Sequence, residues 1–410
     1  MNVQVKEVMK ERYGKVVLIG VILIALYYIF VIQSGISNWH SEQQYYQSEE
    51  FVQLYNEDPE SYARDWDNET PIPYDSIEHY IKDQSYLYDS YPLGSQLVTD
   101  IDKSQKTLDY ETGYSSMTMF ENAQIFLVIF FFIGFLLFFI DLKTNFNTFL
   151  FSLGTTRTQI FKEKLKAVAL PLFGILLVGK LAFIASIYIF IPNQFVNIQL
   201  STLLLTALYG YVATFFFFAW GMFIGTLSGN LIFGSGMALA FISSLIFLGP
   251  PVIMQLTYVK DNFHYHNDYV TPSTYFSLNF DIDKYSPTAI VYLFFLAIGV
   301  ILLFASWRAY QHISLENSSQ TILVDKYRLP ITLLITAYSC FIIWSLNYSA
   351  ALTILPGKPR YVSYFISRII ISGLIIGLVT YGMVYFVPIK NKIRGWREKR
   401  RQAKGLSIGE

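Results

Sequence analysis

Gln124 to Ile140 reads QIFLVIFFFIGFLLFFI, an apolar run without a charged residue, and Asp141 to Lys166 continues it as DLKTNFNTFLFSLGTTRTQIFKEKLK. The first piece decides the solvent. A hydrocarbon layer roughly 30 Å thick takes about 20 apolar residues in helix to cross, and a segment in lipid has to close its own backbone hydrogen bonds, which a helix does. Seven more stretches fit the same description: Val16 to Gln33, Ala167 to Ile191, Leu200 to Leu227, Leu231 to Met254, Thr288 to Trp307, Ile331 to Leu346 and Ile369 to Val387. Composition agrees, because 53% of the 410 residues are hydrophobic, 18% are aromatic and the mean hydropathy is +0.38, well above the range of soluble domains. The sequence predicts an all-α polytopic membrane protein of about eight transmembrane helices.

Basic residues orient such a chain, since Lys and Arg in short loops stay in the cytosol. With the N-terminus inside, residues 1–15, 141–166, 308–330 and 388–410 are cytosolic and hold twenty of the thirty basic residues, eight of them in the tail from Lys390 to Lys404. Nine remain outside and Lys180 lies within a span. An even number of crossings and a basic tail are consistent with each other, so both termini are expected in the cytosol and the chain in the plasma membrane. The basic stretch Lys6 to Lys15 and the apolar run after it carry no small-residue cleavage site, so that run is expected to be a retained first helix, preceded by a short amphipathic segment. The basic tail is expected to set topology and to contact anionic membrane lipid.

The segment between the first two spans, residues 34–123, is acidic: Gly35 to Asn122 holds 18 acidic residues against four basic ones. Ser41 to Tyr55 and Asp75 to Tyr88 alternate Tyr, Phe and Leu with charge, which predicts a small, mostly helical extracellular domain with a modest core. Its acidity is either simple solvation or a surface for cationic peptides or divalent metal. The second outer loop, 255–287, carries His264, Tyr265 and His266 between Asp261 and Asp268; two His at that spacing share one face of a strand, but no further ligand stands near, and no metal site is assigned. A single cysteine, Cys340, precludes an intramolecular disulfide, as suits the exterior of a Gram-positive bacterium. The balance of 30 basic and 30 acidic residues points to no nucleic-acid partner.

In the cytosolic stretch 141–166, Phe146, Phe149, Leu150 and Leu153 recur at helical spacing on a piece too short and polar to span, which predicts a short helix along the inner face. Gly154 ends it, and Thr155 or Thr156 caps the helix that leads into the third span.

On these residues the chain resembles the permease subunits of ABC-2 type exporters. Their corresponding stretch has Leu residues, a small residue or Pro, Ser or Thr, then Arg, a hydrophobic residue and Lys; here these are Leu150, Leu153, Gly154, Thr156, Arg157, Ile160, Phe161 and Lys164. Gly154 stands where Pro is common, so the turn is less rigidly specified. The resemblance covers roughly Met1 to Ile313, and the last two spans exceed the usual six-helix core, as in longer permeases of peptide export or self-protection. It implies that Phe149 to Lys162 is a coupling helix seated in a groove of a separately encoded ATPase present in two copies. Arg157 and Lys162 would face acidic groove residues, with Phe149 and Leu153 as apolar anchors. It implies also a second permease, the same or different, and an amphipathic peptide or lipid-like substrate carried outward.

Gly174 to Lys180, GILLVGK, has the spacing of a phosphate-binding loop, but Leu181 replaces the Ser or Thr that would meet magnesium, and the run lies within a span. No ATP site, catalytic residue, metal or cofactor of the chain's own is assigned. Lys180 is costly in mid-membrane, by about 2.5–3.5 kcal/mol on insertion scales, and no Asp or Glu lies deep in any span. Two readings stand: it lines a hydrated translocation path or packs over aromatic rings such as Phe215 to Phe218, or it snorkels near a kink at Pro171. Gly221, Gly225 and Gly229 form overlapping GxxxG steps, and Gly373 with Gly377 another, for packing within the chain or for a dimer interface. Rival functions remain. A membrane-surface enzyme needs a carboxylate or His cluster at one interface, a gradient-driven carrier needs in-membrane carboxylates, and a sensor would receive its signal on the acidic outer domain.

Overall fold

Apolar runs of this length have no choice but helix in lipid, and helices dominate. The computed structural model describes residues 3–62, 65–67, 70–72, 74, 76–85, 119, 121, 124–196, 200–244, 289–313, 320–354 and 360–406. In chain order the helices are α1 (Val3–Tyr46), α2 (Glu49–Glu57), α3 (Ile77–Ser85), α4 (Gln124–Lys143), α5 (Phe146–Ser152), α6 (Arg157–Phe190) and α7 (Leu200–Leu227). They continue with α8 (Leu231–Ser244), α9 (Ala289–Gln311), α10 (Arg328–Ile354), α11 (Arg360–Val384) and α12 (Phe386–Leu406). Among the described residues, five helices are long and apolar enough to cross a membrane, or six if a bent pair at α11 and α12 counts as one span. The chain is a multi-pass membrane protein. The end of the fifth expected span and the outer loop with His264 and His266 lie outside the described residues.

α1 runs unbroken from Val3 through the first apolar run and on to Tyr46, so the N-terminal amphipathic segment and the first span are one rod. Pro330 sits in the first turn of α10, where its missing N–H costs nothing. The chain divides into two compact units, one of Met1–Leu127, Gln159–Phe216 and Leu278–Ile298, the other of Val128–Thr158, Phe217–Ser277 and Gly299–Glu410.

In the first unit, the residues between α1 and α4 form a small aromatic core. Ser48, two residues after α1, caps α2, its hydroxyl accepting the Phe51 N–H; Phe51 is turned inward at 1% exposure. The Phe51 ring stacks on Tyr80 at 5.8 Å and meets Tyr45, Tyr46 and Tyr62 edge-on. Trp39 of α1 donates its indole N–H to the Ser85 carbonyl at the end of α3. A two-stranded antiparallel hairpin, β1 (Asp65–Asp67) with β2 (Thr70–Ile72), joins these helices, an element that the sequence reading did not foresee in a segment it took as mostly helical.

In the second unit, α4 and α7 cross closely. A Cβ on Gly221 would collide with the Phe131 carbonyl, one on Gly225 with that of Phe135, and one on Gly134 with that of Phe218, so three glycines let two backbones touch. Gly229 abuts the Gln320 carbonyl and the Leu323 side chain; its N–H donates to Thr321 O, and the Leu323 N–H to Leu227 O. Leu227, Ala309, Ile322, Ile331 and Val384 form a buried core at the end of α7. Gly373 and Gly377 face α10, 3.6 Å from Cys340 Sγ and Thr336 Cγ2 for an added Cβ. Every GxxxG glycine therefore packs inside the chain.

Candidate functional site

Two constellations stand apart from ordinary helix packing. The first is the turn between α4 and α6. Lys143 ends α4 with its ammonium donating to the Gly229 carbonyl, and Asn145, in the left-handed region at φ 55°, redirects the chain into α5. Gly154, at φ 69°, turns it again, in a conformation that glycine adopts without strain. Thr156 is the last residue before α6. Helix α5 and the glycine turn thus follow the sequence expectation.

One face of this segment is bolted to the C-terminal end of α9. The Arg157 guanidinium donates from Nη1 to the carbonyls of Gln311 (2.8 Å) and Ile313 (2.7 Å), acceptors that a helix end leaves open and that favour a cation. The same guanidinium lies 4.5 Å from the centroid of the Phe151 ring. Thr158 Oγ1 accepts from Gln311 Nε2 at 2.8 Å and from Trp307 Nε1 at 3.3 Å. Tyr310, fully buried, donates to Asn147 Oδ1 and packs edge-on against Phe151 and Phe138. Leu150 is wholly buried.

The opposite face is open. Phe149 is 47% exposed and stacks only loosely with Phe146 at 5.8 Å, and Thr156 and Lys162 are exposed, with Leu153 and Arg157 half-buried. Ile160, Phe161 and Lys164 are buried. Of the nine residues singled out from the sequence, Phe149, Thr156 and Lys162 are thus exposed, whereas Leu150, Ile160, Phe161 and Lys164 are buried. Arg157, expected to face outward, is turned to its own chain, because two open carbonyls at a helix end offer it better acceptors than water.

The second constellation surrounds Lys180 in α6, within the first unit. Its ammonium donates to Glu121 Oε1 at 2.8 Å, with side-chain exposures of 3% and 13%. The Tyr28 hydroxyl donates to the same oxygen at 2.6 Å. Tyr28 stacks on Phe126 and lies against Gly179, where any Cβ would strike its ring; Gly210 of α7 lies against Lys180 Nζ, 3.3 Å away for an added Cβ. A carboxylate pairs with the lysine, where the sequence offers the aromatic run Phe215 to Phe218. Glu121 was counted from the sequence among the outer acidic residues, and the signal that could have found it is its position three residues before the second apolar run. The GILLVGK stretch lies within α6.

Comparison with known proteins brings no relative to bear on these sites, as no family model, no curated protein and no solved structure matches the chain.

Proposed function

We propose that this chain is the membrane-spanning permease subunit of an ATP-binding cassette exporter of the ABC-2 type, with eight spans, both termini cytosolic and residues 34–123 outside. Two copies of a separately encoded ATPase dock on the α5 turn, and two permeases together move an amphipathic peptide or lipid-like molecule outward across the plasma membrane. The observation that carries the reading is the two-faced α5 segment. A phenylalanine left 47% exposed on a short polar loop, on a backing fixed by the Arg157, Thr158 and Tyr310 hydrogen bonds, has the form of an anchor on a rigid seat. Phe149 enters the ATPase groove and Lys162 meets acidic groove residues. Arg157 acts as a positioning residue that holds the seat.

A second reading has its own observation. A buried ion pair with a phenol at the end of apolar helices is the kind of charge that a gradient-driven carrier uses, and Lys180, Glu121 and Tyr28 supply it. Affinity purification of the tagged chain from its native membrane separates the two. The exporter reading expects an ATPase to co-purify and to be lost in Phe149→Asp with the fold intact. Proteoliposomes of the chain alone that carry out transport driven by an ion gradient, without nucleotide, would sink it in favour of the carrier.

A further inference from the structure

α11 ends at Val384, and after Tyr385 the chain resumes as α12 with its axis turned by 69°. Pro388 in the first turn of α12 has no N–H to offer the Val384 carbonyl, so the α11 ladder cannot be continued there. A helix turned by 69° from α11 does not continue it as a straight crossing.

The residues of α12 are arranged for the depth of the lipid headgroups. Phe386, Ile389, Ile393 and Trp396 succeed one another at steps of three, four and three, so they share one face, and they are 61%, 38%, 47% and 56% exposed. Lys390 and Arg397 border this face on one side at helical spacing, Lys392 and Lys399 on the other. The Arg400 guanidinium lies over the Trp396 ring at 3.9 Å. The back carries Asn391, Gly395 and Glu398, the last paired with Arg394 at 3.0 Å, and a Cβ at Gly395 would meet nothing within 4 Å. Apolar residues beneath, closed at the C-terminal end by Arg400, with cations along both edges and a weakly charged back, follow the order in which a bilayer offers acyl chain, phosphate and water.

We infer that α12 is an in-plane membrane helix that inserts Phe386, Ile389, Ile393 and Trp396 among acyl chains and binds anionic phospholipid headgroups through Lys390, Lys392, Arg397 and Lys399. The inference rests on membrane embedding and not on the exporter reading. The test uses the full-length chain in a Cys340→Ala background, with a nitroxide on Ile393→Cys or Gly395→Cys. The chain is placed in nanodiscs of phosphatidylcholine alone or mixed with phosphatidylglycerol, and collisions with oxygen and with a water-soluble nickel chelate are compared. In the mixed nanodiscs the label at 393 is shielded from nickel and exposed to oxygen, whereas that at 395 shows the reverse. Replacing Lys390, Lys392, Arg397 and Lys399 by Gln shifts the seated population at 393 toward water by about fivefold per charge. Equal nickel access at 393 and 395 overturns the in-plane seat. Shielding at 393 that ignores both the charged lipid and the Gln substitutions overturns the anionic partner, and shielding that arises only when an ATPase subunit is added assigns the face to protein instead.

Discussion

The Lys180 ammonium and the Glu121 carboxylate lie 2.8 Å apart, joining residues 59 positions apart in the chain, and the Tyr28 hydroxyl shares the same carboxylate oxygen. Three segments of the first unit, α1, the approach to α4, and α6, are tied at one atom. Taking one partner from a buried pair leaves the other charge without compensation, at a cost of about 3–5 kcal/mol, whereas removing both is far milder. Glu121→Gln and Lys180→Met are each expected to lower the Tm of the detergent-purified chain, and the double variant to recover most of the loss. Strict additivity of the two losses in a double-mutant cycle would show that the pair does not couple.

Arg157 and Phe149 are expected to fail differently. Arg157→Ala removes two charge-assisted hydrogen bonds, each of about 1.5–3 kcal/mol, and should lower Tm. Phe149→Asp alters an exposed ring and should leave stability within about 0.5 kcal/mol of the parent, with Tm nearly unchanged, while abolishing ATPase co-purification. Thermal unfolding read beside pull-down distinguishes them; equal losses of Tm for both would contradict the two-faced description of α5.

The glycines grade in the same way. Gly221→Ala and Gly225→Ala push a methyl group into a backbone carbonyl, and overpacking of this kind costs about 1–3 kcal/mol. Gly373→Ala meets only Cys340 Sγ at 3.6 Å, an ordinary contact, and should be near neutral. Monodispersity on size exclusion after graded heating reads the ranking.

The aromatic core next to α3 gives a pH profile. Glu78 accepts from its own backbone N–H and from Ser76, which holds its carboxyl below the usual range, while burial pushes the phenols of Tyr55 and Tyr80 up, with neighbouring acids and phenols adding to it. The lowered carboxyl contributes stability that is present above its unfolded value, about 4.3, and fades as pH falls through its folded value. The raised phenols contribute stability that is complete below about 10 and is lost as pH climbs through their folded values. Tm of the detergent-purified chain is the reporter: it should be level through neutrality and fall at both extremes. A change centred near neutral pH would contradict this assignment.

The long apolar helices were legible because lipid allows such a run few alternatives to helix. The α5 turn was legible for a related reason: Phe146, Phe149 and Leu150 set a helical period, and Gly154 marks its end. What joins distant parts of the chain was not. Lys180 announced that it needed a counter-charge, but nothing in the local pattern names an acid 59 residues earlier, outside any apolar run. The acceptors of Arg157 are carbonyls, which no side-chain pattern can advertise. Tyr28 reads as an ordinary lipid-facing aromatic until its ring is seen against Gly179. The β1–β2 hairpin lies in a stretch of Asp, Asn and Pro where helix periodicity had little to act on.

The bonds that fasten α5 to α9 set a load path. Arg157 and Tyr310 join the 146–152 helix to the C-terminal end of the 289–311 rod at several points, so the two form one mechanical piece. A lever mounted so stiffly at its fulcrum would swing that rod before it bends itself, whatever supplies the push.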